Sequence, residues 1–533
     1  MDIISDDALS TMHRSGGGGL LSVASALTAA ALTAYAFYRK YYHQGVPEGL
    51  ENIPSPQNAY PYVGHLLSLS EQPMLQFMQW HRELGSIFRL QMGVKTWIVI
   101  SDPTIAHELL VGNGNITSGR PFSVLKTKHR SMNGRGLICS SPNKAWRQMR
   151  TVTNALLGSK KMASKFTQSL NDQVDRLVIA LMSGSGAQKN MDPTKVLERA
   201  SLQFILTTCF GKDDTNDDTL DEVIRVMDHG HEIASSDVTT YLPVLSLVLG
   251  KTEEMYRHYI ETEREPLFRR LVDQSGEEGV VRSLKDMKEM GQMDDQDILA
   301  AAGDLVEGGT ESLATALLWA FVILSTQKDA QYQIVEEIAS FASEHQRLPT
   351  FADRDALPFL VSVQKECMRF RPITPFGEFH ETEQDVEWRG HVLPKGTTIV
   401  TSLYLMHADP EVYEQPEEFI PDRFVDNTST MASLANAKVG QRDHFNFGWG
   451  RRVCPGAQLA EEQMFTVFVR LFTNCTIEPA LDEEGQPIEI DLDNITSNGR
   501  VTTPAGNIML RFVRHEDSME DEEEEEDDDD DDL

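Results

Sequence analysis

Cysteine is scarce in this sequence, and no two cysteines stand at the spacing of a metal or redox site. The 533 residues include five of them, Cys139, Cys209, Cys367, Cys454 and Cys475. Because no Cys-x-x-Cys pair occurs and the count is odd, neither a zinc site nor a disulfide framework is expected. The cysteine pattern therefore predicts a protein of a reducing compartment.

Positive charge is also in short supply. The chain has 48 Lys and Arg residues against 82 Asp and Glu residues, which gives a net charge of −34. Of the acidic residues, 15 lie in the last segment, 516–533, and the rest of the chain is acidic as well. Nucleic-acid binding is not expected, because the phosphate backbone repels such a protein.

Linkers and repeats are missing too. No Pro/Gly/Ser-rich stretch divides the chain and no internal repeat occurs, which predicts one large domain with terminal appendages. Apolar residues recur mostly at helical spacing, so the predicted fold class is mainly α, of the α+β type. Helices are expected at about 74–84, 103–111, 144–157, 165–182, 253–272, 297–323, 330–344 and 358–370, and strands at about 87–90, 97–100 and 398–401.

One cysteine stands in a glycine-rich turn directly before an amphipathic helix. The turn is Phe-Gly-Trp-Gly-Arg-Arg-Val-Cys-Pro-Gly at 447–456, and the helical pattern runs from 457 to about 475. A helix N-terminus lowers the pKa of a nearby thiol and stabilises its anion, so Cys454 is a candidate metal ligand. Gly448 and Gly456 let the backbone approach a flat ligand, and Arg452 can reach an acidic edge of it. The alternative is a buried free cysteine beside an incidental turn.

This turn resembles the signature of the cytochrome P450 family of haem-thiolate monooxygenases, Phe-x-x-Gly-x-Arg-x-Cys-x-Gly. Every specified position is matched, and the resemblance extends over about residues 48–514. It implies the P450 fold, a large helical domain with a small β-rich region, and a eukaryotic microsomal type. It also implies haem b as cofactor and Cys454 as the axial iron ligand. Further cofactor contacts are implied for Phe447, Gly448, Arg452 and Gly456.

Two more segments carry the resemblance. Glu366 and Arg369 stand three apart on a predicted helix, and Arg423 lies in a Phe-x-Pro-x-Arg-Phe segment. In the family these three form a buried structural network, whereas in isolation such a pair would indicate a solvated helix face. Trp146 and Arg150 stand one helical turn apart, and the resemblance implies that they bind a haem propionate together with Arg452. The alternative is an interface tryptophan beside a surface arginine.

The segment Gly-Gly-Thr-Glu-Ser at 308–312 resembles the oxygen-activating motif of the family. Two glycines inside a helix are costly, so a close approach to the haem and a local widening of the helix are expected. The resemblance places Thr310, Glu311 and Ser312 in catalytic roles. Ser312 departs from the usual threonine, and this predicts a greater release of hydrogen peroxide. Tight helix packing is the alternative explanation of the glycines.

The resemblance implies insertion of one oxygen atom from O2 into a small lipophilic substrate, such as a steroid, fatty acid, terpene or xenobiotic. Electrons would come from NADPH-cytochrome P450 reductase, with a cytochrome b-type donor as a second source. Substrate contacts are expected from five regions: 112–143, 205–249, the helix near Gly308, 373–379 and 496–503. Two alternatives stay open, a haem-thiolate isomerase or dehydratase that needs no reductase, and a non-catalytic haem sensor.

The N-terminal region carries an apolar, uncharged run at 20–38, followed at once by Arg39 and Lys40. This pattern predicts a single-pass anchor in the endoplasmic reticulum membrane, with the catalytic domain in the cytosol. The expected organisation is a lumenal segment at 1–19, the anchor, a proline-rich hinge, the haem-binding domain and a disordered acidic tail. The hinge is expected at 39–62, the haem-binding domain at 63–515 and the acidic tail at 516–533.

Overall fold

The computed structural model describes residues 47–70, 72–158, 160–235, 238–497 and 501–515. The predicted lumenal segment, membrane anchor and acidic tail lie outside the described residues, as does the first part of the predicted hinge. Within the described part, helices dominate and short strands form a small region, so the predicted mainly helical α+β class is confirmed.

The described residues form fifteen α-helices, which we number in chain order. They are α1 Pro73–Leu84, α2 Pro103–His107, α3 Lys144–Leu157, α4 Lys160–Gly184, α5 Thr194–Phe210, α6 Asp217–Ser235, α7 Ser246–Tyr259, α8 Glu265–Asp273, α9 Val280–Glu289, α10 Asp295–Ser325, α11 Lys328–His345, α12 Pro358–Phe370, α13 Leu403–His407, α14 Met431–Leu434 and α15 Ala457–Asn474. Wider π-helical turns occupy Glu108–Gly112, Val124–Arg130 and Ile260–Arg264.

Helix α10 is the central element of the fold. Its first turn is closed by a capping box, in which the side chains of Asp294 and Asp297 each accept a hydrogen bond from the other's backbone N–H, at 3.0 and 3.1 Å. Among the described helices it alone is long and apolar enough to cross a membrane, but 78% of its apolar window is buried in the protein. It is therefore placed as the core helix that carries the predicted oxygen motif.

The strands form one mixed sheet and three small ribbons. The strands are β1 Ile87–Met92, β2 Lys95–Ile100, β3 His380–Glu381, β4 Val386–Trp388, β5 His391–Leu393, β6 Thr398–Thr401, β7 Cys475–Pro479, β8 Ile495–Ser497, β9 Thr502–Pro504 and β10 Leu510–Arg514. The sheet has the order β1-β2-β6-β3, with β1 and β2 antiparallel and β2 and β6 parallel. The ribbons pair β7 with β10, β4 with β5 and β8 with β9.

Helix α15 fixes the cysteine turn against the core. Met464, Val467, Phe468 and Leu471 are buried, as their helical spacing predicts. They share one hydrophobic cluster with residues of α10, α11 and α12. The turn before α15 is consequently anchored to the same core as α10.

Candidate active site

The turn that carries Cys454 is shaped by backbone hydrogen bonds and two glycines. The N–H of Cys454 donates to the carbonyl of Phe447 at 2.8 Å. Gly448 and Gly450 have φ of 78° and 54°, in the region that favours glycine. A Cβ at Gly450 would also collide with the carbonyl oxygen of Leu110. The main chain can therefore pass close to its neighbours here only with glycine at 450.

The Cys454 side chain is accessible, although Arg452 and Val453 beside it are buried. Enclosure by protein raises the pKa of the Cys454 thiol, and a hydrogen bond from the Gly456 N–H and the charge of Arg150 lower it by less. The backbone at the start of α15 thus acts in the predicted direction, but lost hydration outweighs it in the protein alone. Coordination to iron would itself deprotonate the thiol.

Arg452 is held in one orientation by backbone oxygens. It donates to the carbonyls of Ser118 at 2.9 Å and Leu137 at 3.0 Å, and also to that of Ser140. Its guanidinium carbon lies 4.4 Å from the ring centroid of Trp146, within cation–π range. The indole N–H of Trp146 donates to the same Leu137 carbonyl at 3.0 Å. The structure thus brings together Trp146 and Arg452, which the sequence assigned to one cofactor edge.

Arg150, the third residue assigned to that edge, donates to the carbonyl of Val453, the residue before Cys454. Its Nε is buried and has no hydrogen-bond partner among the described residues. Within the described part of the chain, every hydrogen bond of the Arg150 and Arg452 guanidinium groups goes to a backbone carbonyl, none to a carboxylate. These two cations therefore have the free charge that an anionic group would balance.

Arg120 joins this cluster, and the sequence analysis missed it. It donates to the carbonyls of Ile138 at 2.9 Å and Phe379 at 2.5 Å. Burial lowers the pKa of Arg452, and the positive charges of Arg120 and Arg150 lower it further. Three mutually repelling guanidinium groups beside an accessible thiol fit the two propionates and the iron of a haem. The only sequence signal for Arg120 was its place in the region 112–143.

The oxygen motif on α10 presents different faces to different neighbours. Gly308 is exposed and Ser312, one turn later, is half-buried, and the Ser312 hydroxyl donates to the Gly308 carbonyl at 2.7 Å. A Cβ at Gly309 would instead collide with the side chain of Ile205 on α5. Close helix packing thus accounts for Gly309. Gly308 instead leaves the accessible face of α10 without a side chain. The expected widening is absent, because 295–325 is continuous α-helix.

Thr310 and Glu311 lie on other faces of α10. Thr310 is 1% exposed, and its hydroxyl has no hydrogen-bond partner in the described structure, so it is not on the accessible face with Gly308 and Ser312. Glu311 is half-buried and interacts electrostatically with Glu198 and Asp228. Ser312 is therefore the predicted catalytic residue that shares the accessible face of the motif.

Glu366, Arg369 and Arg423 form one buried network. Arg369 donates to both Glu366 oxygens at 2.7 Å, and Arg423 donates to one of them at 3.0 Å. The backbone N–H of Ile420 adds a fourth donor at 3.0 Å. Arg369 also binds the carbonyls of Pro416 at 2.7 Å and of two other residues, so the network fastens α12 to the segment before the cysteine turn.

A large cavity of about 1340 Å³ lies beside this site. Its lining includes residues from all five regions expected to contact substrate, such as Ile138, Met227, Glu307, Phe376 and Thr502. The lining also includes residues of α1 and α7, which the sequence analysis did not place there. Cys454 does not line this cavity, and Ile138, which does, lies 3.3 Å from the position of a Cβ at Gly308.

Comparison with known proteins agrees with this geometry. The profile of the family described as cytochrome P450 matches residues 54–508. The cytochrome P450 monooxygenase yanC of Aspergillus niger is 26% identical over 466 residues, which cover 83% of this chain and 85% of that protein. The monooxygenase pgmC of Aspergillus terreus is 28% identical over 469 residues, which cover 84% and 83%.

Solved structures show the same fold. A zebrafish cytochrome P450 determined with progesterone superimposes with a TM-score of 0.68 at 24% identity, and the match covers 83% of this chain and 99% of that one. Another zebrafish cytochrome P450 structure, with abiraterone, gives a TM-score of 0.67. Because the family profile spans most of its length, the chain belongs to the cytochrome P450 family of haem-b monooxygenases.

Proposed function

We propose that this P450 inserts one oxygen atom of O2 into a neutral or weakly polar lipophilic molecule, with Cys454 as the axial ligand of the haem iron. The observation that carries the proposal is the accessible Cys454 thiol beside three arginines that have no carboxylate hydrogen-bond partner among the described residues. The cofactor, when bound, supplies oxygen activation, which thiolate ligation favours. Arg120, Arg150 and Arg452 would hold its propionates. The indole N–H of Trp146 is bonded to the Leu137 carbonyl, so we assign Trp146 to positioning Arg452 rather than to a direct propionate contact.

The remaining cofactor contacts follow from the shape of the cysteine turn. Phe447 is buried beside it, and its carbonyl fixes the backbone of Cys454. A Cβ at Gly456 would lie 3.9 Å from the Cys454 sulfur, and one at Gly448 would lie 3.7 Å from the Arg452 carbonyl oxygen. We assign these three residues to contacts with the cofactor on the Cys454 side. The arginines would hold the cofactor edge and keep water from it.

Proton delivery is assigned to Ser312 and Glu311. The Ser312 hydroxyl lies on the accessible face of α10 and donates to the Gly308 carbonyl, so rotation about one bond turns the proton toward that face. Glu311 directly precedes Ser312 in the sequence and carries the ionisable group that resupplies it. Thr310 is buried away from this face, and we assign it to helix packing.

The substrate is assigned to the cavity of about 1340 Å³. Apolar side chains such as Met74, Trp97, Phe376 and Phe379 form much of its wall, which favours lipophilic molecules. The volume is large enough for any of the steroid, fatty acid, terpene and xenobiotic classes. The zebrafish cytochrome P450 structures were determined with progesterone and with abiraterone, which supports a compact lipophilic ligand for this cavity.

An exposed apolar surface supports membrane attachment. Five apolar side chains are between 40% and 70% exposed: Tyr60, Leu67 and Leu75 near the start of the domain, and Val238 and Val244 after α6. The backbone N–H of Val244 donates to the hydroxyl of Tyr62 at 3.3 Å, which joins the two segments into one surface. A patch of this kind favours contact with lipid beside the predicted anchor at 20–38. We therefore propose an endoplasmic reticulum location with the domain in the cytosol.

The electron donor is proposed to be a membrane-bound NADPH-cytochrome P450 reductase, with a cytochrome b-type protein as a second donor. Lys144 and Arg147 on α3 and Arg451 in the cysteine turn are exposed. In a chain of net charge −34, these cations close to the Cys454 turn favour a donor with an acidic surface.

Turnover with isotope-labelled O2 tests this function. The reconstituted chain, with reductase and NADPH, should transfer one labelled atom to a lipophilic product, and omission of the reductase should stop the reaction. Product formation without reductase would instead support the isomerase or dehydratase alternative. Tight haem binding with no oxidation of any lipophilic compound would support the sensor alternative.

A further inference from the structure

A buried group of four charged side chains lies along α10, within one turn of the exposed Gly308. Arg130 contacts Glu307 at 2.7 Å and Asp304 at 3.4 Å, and Arg264 contacts Glu307 at 2.9 Å. All four are at most 8% exposed. We call Arg130, Arg264, Asp304 and Glu307 the charge cluster. Groups buried so deeply are stable only when their charges are paired.

The surrounding backbone is built around this cluster. The second oxygen of Asp304 accepts hydrogen bonds from the N–H groups of Leu137 at 2.6 Å and Ile138 at 3.0 Å. A Cβ at Gly303 would collide with the guanidinium group of Arg264, so only glycine leaves room for it. The cluster therefore holds the loop that contains Leu137 and Ile138 against α10.

Part of the charge cluster faces the substrate cavity. Arg130 and Glu307 both line the cavity, and Tyr256 lines it beside them. The Nε of Arg130 has no hydrogen-bond partner among the described residues. In the described structure the Tyr256 hydroxyl likewise makes no hydrogen bond, whereas the neighbouring Tyr259 hydroxyl donates to the Val226 carbonyl at 2.9 Å. Tyr256 and Arg130 thus bring groups without a hydrogen-bond partner in the described structure to a wall that mixes apolar and polar side chains.

Two physical arguments define what these donors would bind. Burial raises the pKa of Tyr256 to about 12, so its hydroxyl keeps its proton at physiological pH and is available as a hydrogen-bond donor. The two cations and two carboxylates of the charge cluster balance one another. A substrate carboxylate placed beside them would meet the Glu307 carboxylate, which lines the same cavity, with no unpaired cation in the charge cluster to balance it. A neutral carbonyl oxygen would satisfy the donors without that cost.

We propose that Tyr256 and Arg130 form a specificity site that hydrogen-bonds a neutral carbonyl oxygen, as in a ketone or an ester, on an otherwise apolar substrate. The inference rests on the proposed function, because it takes the cavity of about 1340 Å³ as the substrate site. Glu307 is the direct neighbour of Gly308 in the sequence, so the bound carbonyl lies close to the accessible face of α10. The site thereby fixes the carbonyl end of the substrate relative to that face and so determines which carbon atoms are presented for oxidation.

Equilibrium binding to the haem-loaded, full-length protein tests the proposal. The probes are methyl dodecanoate with dodecane, and cyclododecanone with cyclododecane, and binding is followed by the spin-state change in the absorption spectrum. Each carbonyl compound should bind more tightly than its hydrocarbon by roughly three- to tenfold, the effect of one or two net hydrogen bonds. Dodecanoic acid should bind more weakly than its methyl ester.

Tyr256→Phe should bring the carbonyl compounds to the affinity of their hydrocarbons, while hydrocarbon affinity stays unchanged. Tyr259→Phe is the matched control, because that hydroxyl is already bonded to Val226, and it should keep the preference. Arg130→Lys keeps the charge and should reduce the preference only in part.

Three results would overturn the proposal. They are equal or weaker binding of every carbonyl compound in the wild type, an unchanged preference in Tyr256→Phe, and tighter binding of the acid than of the ester. The spectrum of the carbon monoxide complex checks that each variant is folded with haem. If the preference holds but no product forms with reductase, the proposed function fails while the specificity site stands.

Discussion

Opposing local effects determine the state of Cys454. Burial disfavours its anion, whereas the Gly456 N–H and the Arg150 charge favour it. An accessible thiol held this close to a guanidinium group is poised for a metal, because coordination removes the proton that burial retains. The chemistry of the residue thus depends on groups contributed by the turn itself and by α3.

Replacing Ser312 with threonine should reduce the share of NADPH that is consumed in forming hydrogen peroxide instead of product. The added methyl group fixes the rotamer of the hydroxyl on the accessible face, so proton delivery becomes more efficient. We expect less hydrogen peroxide per NADPH in Ser312→Thr and more in Ser312→Ala. Measuring hydrogen peroxide release and NADPH consumption in the presence of reductase and substrate checks this. An unchanged ratio in Ser312→Thr would refute the assigned role of the hydroxyl.

A buried acid near the cysteine helix should make stability depend on pH. Burial raises the pKa of Glu462 on α15 from 4.5 to about 7. Its neutral form therefore stabilises the folded protein fully below pH 4.5, and this contribution is lost as the pH rises through about 7. Urea unfolding of Glu462→Gln should show a gain at pH 8, up to about 3 kcal/mol, and little change at pH 4.

Glu461→Gln provides the contrast to that variant. The Glu461 carboxylate accepts hydrogen bonds from the N–H groups of Met431 at 2.9 Å and Ala432 at 3.3 Å. An amide at 461 would lose one acceptor, so no gain in stability is expected there. Burial raises the pKa of Glu461 to about 7 as well, so an equal gain in the two variants at pH 8 would contradict the stabilising role assigned to these two hydrogen bonds.

Sequence reasoning selected the candidate residues that stand at a characteristic spacing along the chain. Cys454, Arg452 and the Glu366–Arg369 pair stand at fixed distances along the chain, so motif and periodicity find them. Arg120 and Tyr256 could not be found in this way. Their place in the site depends on long-range contacts, such as that between Arg120 and the Phe379 carbonyl, 259 residues away.

At the scale of elements, α10 was predicted within two residues at each end, because its apolar run and acidic first turn are local signals. The predicted helix at 253–272 is instead divided into α7, a π-helical turn and α8. Pro266 has no N–H for the carbonyl four residues earlier, so the ladder is interrupted there. Helix α5 was missed, because 201–210 is buried on all sides and shows no periodic pattern.

The buried network on α12 should dominate the stability of its region. Arg369→Gln would leave the fully buried Glu366 carboxylate without its two-point partner, at a cost of about 3 to 5 kcal/mol. Arg347→Gln is the control, since its ion pair with Asp353 is half exposed and contributes about 1 kcal/mol or less. Denaturant titration of both variants checks the difference, and similar losses would contradict the structural role of the network.

At the scale of the whole molecule, one apolar surface and one predicted anchor lie at the same end of the chain. The protein without residues 1–46 should still bind phospholipid vesicles through the surface that includes Leu67 and Leu75. Leu67→Asp with Leu75→Asp should weaken vesicle binding by about tenfold or more, because charged groups resist burial in lipid. Met290→Asp, at an equally exposed position, is the control. Co-sedimentation with vesicles measures all three proteins.

The overall architecture places a cysteine turn, an arginine cluster and the accessible face of α10 around one site, and all three meet at the segment that contains Leu137 and Ile138. Arg452 binds the Leu137 carbonyl, Asp304 of α10 binds the N–H groups of both residues, and Ile138 lies against Gly308. The sequence predicted the three parts, but only the fold shows the loop that joins them.

The absorption spectrum of the reduced carbon monoxide complex tests the central claim most directly. The wild-type protein should show the red-shifted Soret band of a thiolate-ligated haem, and Cys454→Ser should lose that band even where it retains the cofactor. An unchanged band in Cys454→Ser, or a wild-type spectrum typical of imidazole ligation, would contradict the assignment of Cys454 as the iron ligand.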